Sequence, residues 1–160
     1  MKPLLFLFLF LLSKQVEAQA KDSRIYRIDS IAYHIDTSNG YRITTAEGTF
    51  TPKGRKRPKG NLYLTYLSDS ATHQLRKVFQ DETLQYTDLT TFYFYHDHLI
   101  LVKTATYKPS ATSQPPLSEG KYYFEGKALI YKEEVNRAPS QPGAYLNVAE
   151  GLLKLHLQNL

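Results

Sequence analysis

The chain has 160 residues, with 20 basic and 15 acidic side chains, 42% hydrophobic residues, 13 tyrosines and no cysteine. That length and apolar share suit one domain with its own core. The missing thiol excludes disulfides, thiol catalysis, iron–sulfur clusters and cysteine-held zinc, and a net charge of +5 is too mild to predict nucleic-acid binding.

The first residues look like an address. Lys2 precedes an unbroken Leu/Phe run over residues 4–12, and a polar stretch then ends in Ala18-Gln19-Ala20. A basic start, a short apolar run and a small-x-small ending make a secretory signal, with cleavage expected after Ala20. The run is shorter than the ~20 residues a bilayer needs, so no membrane span is expected. Without cysteine there is no lipid-attachment point, so the product should not be a lipoprotein. Residues 21–160 should form a single secreted or periplasmic domain that holds by packing alone.

Within that domain Asp22 or Ser23 can cap a helix, and Ile25, Ile28, Ile31, Ala32 and Ile35 recur at helical spacing. The spacing predicts an amphipathic helix over 23–37, stopped by Ser38-Asn39-Gly40, with a strand as the alternative because the stripe is β-branched. From Tyr41 the pattern turns to strands rich in Thr, Tyr, Phe and Leu: 41–51, 61–67 and 73–80. Residues 81–88 read as a polar connection with some strand character. A Pro/Gly-marked, strongly basic segment joins the first two strands.

Residues 92–103, FYFYHDHLILVK, read as a hairpin, and residues 122–133, YYFEGKALIYKE, repeat it. In both copies four residues separate an aromatic trio from a Leu-Ile pair. Residues 108–120 and 138–143, rich in Pro, Ser and Gly, read as flexible loops. Leu146, Ala149, Leu152, Leu153, His156 and Leu157 then mark a second amphipathic helix. The expected fold is α+β: an antiparallel meander of six or seven strands with N-terminal and C-terminal helices packed on it. One sheet face needs covering, and the two helix stripes are the available covers. A small β-barrel with flanking helices is the alternative.

The aromatic-aromatic-Phe, short turn, Leu-Ile phrase resembles small exported Bacteroidetes proteins of unknown function, in which YYF-x-(D/N)G-K-LI recurs. Residues 122–130 fit with Gly126-Lys127 in the turn, whereas residues 92–100 carry His96-Asp97-His98 there. A second likeness is to antitoxin-like and MORN-like repeats, whose short regular period this chain lacks. The resemblance implies scaffold and compartment and lends no catalytic residue.

Three groups of side chains are candidate sites. His96 and His98 could face one way on a strand and hold a metal with His73, Glu82 or Asp88 brought in by folding. As an alternative, they form an exposed turn. Lys53, Arg55, Lys56, Arg57 and Lys59 could bind an anionic partner, or simply solvate a hairpin tip. Exposed tyrosines could make a binding platform for a sugar or a protein. The sequence has no nucleophile elbow, zinc-protease helix motif, phosphate loop or dinucleotide fingerprint. The expected function is a non-enzymatic binding domain, without cofactor or nucleic acid, that engages a protein or an envelope polymer. A carrier of a small apolar ligand between sheet and helices comes second, and a histidine-based metal hydrolase third.

Overall fold

The computed structural model describes residues 21–51, 59–108, 114–136 and 141–159. The signal segment and four of the five loop cations, Lys53, Arg55, Lys56 and Arg57, lie outside these residues. Helix α1 covers residues 21–37, so Asp22 and Ser23 lie inside it. Seven strands follow: β1 (Tyr41–Phe50), β2 (Gly60–Asp69), β3 (Leu75–Thr83), β4 (Thr87–Tyr95), β5 (His98–Tyr107), β6 (Ser118–Glu125) and β7 (Ala128–Val135). Helix α2 (Pro142–Gln158) closes the chain. The strands lie in sequence order in one sheet, each antiparallel to the next.

Two expectations change. The barrel is wrong: β1 and β7 are the two edges of an open sheet. The polar stretch 81–88 is mostly strand, because Asp81, Glu82 and Thr83 pair with Tyr63, Leu62 and Asn61 of β2, and only 84–86 turn. The two loops are also shorter than expected, since β6 begins at Ser118 and α2 at Pro142.

The helices do not share a face. Side chains alternate across a strand, and along β4 Phe92 and Phe94 are buried with Ala149 and Leu152 of α2. Tyr93 between them is buried with Ile28, Ala32 and Ile35 of α1. Each helix therefore covers one face, and the middle of the sheet is buried on both. This is why Phe92-Tyr93-Phe94 and Tyr122-Tyr123-Phe124 are unbroken aromatic runs rather than alternating ones.

The hairpin template is used three times. In β4–β5 the register shifts so that Phe94 opposes Leu99 and Tyr93 opposes Leu101, leaving Ile100 extra. In β6–β7, Phe124 opposes Leu129 and Tyr123 opposes Tyr131, leaving Ile130 extra. In β2–β3, Ser68 opposes Leu75 and Leu67 opposes Lys77, leaving Arg76 extra. Each is a one-residue bulge that bends the strand just past the turn. The β2–β3 connection is the longest. It is held by the Asp69 carboxylate, which accepts hydrogen bonds from Ala71 N at 3.0 Å and Thr72 N at 2.8 Å. Those bonds, Thr72's first, hold the Asp69 carboxyl below its ordinary value.

Helix α1 is docked by more than its isoleucines. The Tyr93 hydroxyl donates to Asp36 at 3.0 Å and the Tyr123 hydroxyl to Asp29 at 3.1 Å. Lys77 Nζ, on β3, also meets Asp36, at 2.6 Å. The tyrosines sit two strands apart, about 9.6 Å. Their acids sit two helical turns apart, about 10.5 Å along the axis. The helix thus runs across the strands, and the repeated hairpin presents one tyrosine for every two turns of it.

Candidate functional site at the hairpin tips

Docking α1 across the sheet places its first turns over the tips of β4–β5 and β6–β7. Arg24 reaches Glu125 at 3.1 Å, and Arg27 reaches the other oxygen of the same carboxylate at 3.8 Å. Beneath them a cleft of about 470 Å³ opens between helix and tips. Its floor is Ile28, Ile31, Ile100 and Phe124, and its rim carries Arg24, Arg27, Tyr95, His96, His98 and Glu125. The charged rim groups are two guanidiniums and one carboxylate, so the rim favours anions. A guanidinium presents a planar fork of donors that matches carboxylate or phosphate, and imidazole nitrogens can add further donors.

The turn beside the cleft places side-chain residues in a left-handed backbone conformation. His96 and Asp97 have φ of 48° and 59°, left-handed at both central residues. In the sister turn that position is Gly126, at φ 60°. Glycine takes that conformation at no steric cost, while a side chain raises the energy by ~1–2 kcal/mol. The first turn position is thus glycine in one hairpin and, in the other, a histidine whose ring lies 4.1 Å from Tyr95, edge to face; the second position is left-handed at Asp97 and not at Lys127. Strain held beside a cleft is an observation from which function is argued.

The other sequence candidates are dispersed. His73 lies in the β2–β3 connection, where its carbonyl meets His156 Nε2 at 2.9 Å. Glu82 and Asp88 oppose each other near the far end of β3–β4. Asp88 is eight residues from His96 along an extended chain, about 26 Å. Among the described residues no three His, Asp or Glu side chains gather as metal ligands. Lys59, the one described member of the basic segment, is exposed. The arginines of α1 escaped notice in the sequence, where they are simply the polar side of an amphipathic stripe. No protein-family model, curated protein or solved structure matches this chain.

Proposed function

We propose that this chain is a non-enzymatic binding domain of the bacterial envelope or exterior, and that the hairpin-tip cleft takes the acidic groups of an anionic polymer. The observation that carries the reading is the cleft itself: two arginines and two histidines around one carboxylate, over an apolar floor. Tyr95, exposed beside His96, offers a ring face on which a sugar can stack. The signal-like first twenty residues and the resemblance to exported proteins support the compartment. Surface electrostatics of this kind is screened by salt.

Retention on an immobilised polyuronate, set against an uncharged glucan, tests the reading. The full domain should be held on the acidic matrix at low salt and released by salt. Arg27→Glu with Tyr95→Ala should elute with the uncharged control. Retention of that double variant equal to the parent would exclude the cleft. Capture of a protein instead of a polymer would move the partner class.

A companion variant separates function from folding. His96→Gly should gain about 0.5–1 kcal/mol in urea unfolding, the relief of a left-handed side chain less the added freedom of the unfolded chain. The same change should weaken retention on the polyuronate. A variant that is less stable and binds equally well would show that His96 serves the turn alone.

A further inference from the structure

A second cavity lies on the opposite face and far side of the sheet, under the end of α2. It holds about 340 Å³ between β1, β2 and the last turn of the helix, at the low end of the ~300–1,000 Å³ typical of small-molecule sites. It exists because α2 stops short of the edge: no residue of β1 is fully buried.

Three cross-strand pairs line its floor in register. Arg42 opposes Ser68, Thr44 opposes Tyr66 and Ala46 opposes Leu64. All six residues border the cavity. Directly opposed residues share a sheet face with their Cβ atoms about 5 Å apart, so these pairs form a ladder about 13 Å long. One end is a guanidinium and a hydroxyl, the middle is two hydroxyls, and the far end is aliphatic, with Leu155 of α2 also on the wall.

The polar end is not satisfied by the protein. Ser68 and Tyr66 are 3% and 8% exposed, yet among the described residues neither hydroxyl has a hydrogen-bond partner. No fully enclosed side-chain polar atom of the described residues lacks a partner, so these two hydroxyls must open on the cavity that their residues line. Burial raises the Tyr66 hydroxyl above its ordinary pKa, which keeps it a donor. Arg42 likewise has no acidic partner among the described residues. Over the Tyr66 ring lies that of His156, 6.5 Å away and inclined by 14°, with its Nε2 committed to the His73 carbonyl at 2.9 Å.

We infer that this cavity is a binding site for a small apolar carboxylate, of the size of a medium-chain fatty acid. The carboxylate sits between Arg42 and the Ser68 and Tyr66 hydroxyls, and the tail lies along Ala46 and Leu64 beneath Leu155. Two hydroxyls of nearly buried residues that open on the cavity without a protein partner are donors for such a head group, and a guanidinium without a counter-charge among the described residues supplies the sign. The site is separate from the hairpin-tip cleft and does not depend on it.

Calorimetry with decanoate, decanol and decylamine on the full domain tests the assignment. Decanoate should bind with saturation at one site, and decanol and decylamine at least tenfold more weakly. Arg42→Ala should weaken decanoate at least tenfold and leave decanol unchanged, which separates loss of the head contact from misfolding. Ala46→Trp, on an exposed strand, should fill the tail end and abolish binding of both at an unchanged melting temperature. Arg27→Glu, in the separate hairpin-tip cleft, should leave decanoate binding unchanged. Failure of decanoate to bind, equal binding of decanol, or full binding by Ala46→Trp would each overturn the proposal.

Discussion

Phe94→Ala is expected to cost about 3–5 kcal/mol, a large share of the whole stability of the domain. The ring is fully buried on the α2 face of β4, directly across from the buried Leu99 and in one cluster with Ala149 and Leu152 of the helix. Truncation removes the transfer energy of the ring and leaves a cavity between two regular elements. A domain of this size has about 5–15 kcal/mol in all, and with no cysteine in the chain no disulfide adds to that. Ile43→Ala is the matched control, because Ile43 is 65% exposed on the edge strand and should change stability by less than about 0.5 kcal/mol. Urea midpoints at constant m measure both. A cost below about 1 kcal/mol at Phe94 would mean that α2 does not pack where the sheet alternation places it.

The reach of the sequence follows from which signals are local. Helix stripes and strand composition depend on neighbours three or four residues away, and both helices and the strands lie near their expected places, except where β3 and β4 extend into residues 81–88. The repeated hairpin was visible in Phe92-Tyr93-Phe94 and Tyr122-Tyr123-Phe124 because aromatic trios are rare. Its third copy was hidden: Tyr66-Leu67-Ser68 has a small polar residue in the third place, and a longer connection displaces Leu75. The spacing Leu75 to Val78, identical to Leu99 to Val102, is the signal that could have found it. That the helices take opposite faces was also written in the sequence, since an unbroken aromatic run has no solvent side.

The sites were less accessible to sequence reasoning for the same reason. His96 and His98 stood out as a pair, but their partners Arg24 and Arg27 come from a helix some seventy positions earlier, and only the crossing of α1 over the tips joins them. The Arg42–Ser68 and Thr44–Tyr66 pairs depend on β1–β2 register across a connection outside the described residues. A one-residue slip would have turned every one of these side chains to the other face.

Raising the pH above 10 should destabilise the fold steeply, and two tyrosines should account for the effect. Burial chiefly, then the charge of Asp36 and the bond to it, holds the Tyr93 hydroxyl well above the ordinary 10.0. Burial and Asp29 do the same for Tyr123. Both folded-state values are raised, so the contribution is complete below pH 10 and is lost as pH rises beyond it, where the unfolded chain has released protons that the folded chain still holds. Each tyrosine adds a slope of at most about 1.4 kcal/mol per pH unit. Stability from urea midpoints should be level between pH 7 and 9 on this account and fall by up to about 3 kcal/mol per unit beyond 10. In Tyr93→Phe/Tyr123→Phe the fall should be largely gone. At pH 7 the double variant should be about 2–4 kcal/mol less stable, because two hydrogen bonds to carboxylates are lost and Asp36 keeps 32% of its side chain in solvent, which limits the loss. Amide exchange should then rise first along residues 21–37, since α1 would be left to its isoleucine stripe and to the ion pairs of Asp36 with Lys77 and of Arg24 with Glu125. A parent stability level to pH 11.5, or a double variant with the full alkaline slope, would show that the repeated tyrosine is a packing residue only and that its hydroxyl does not dock the helix.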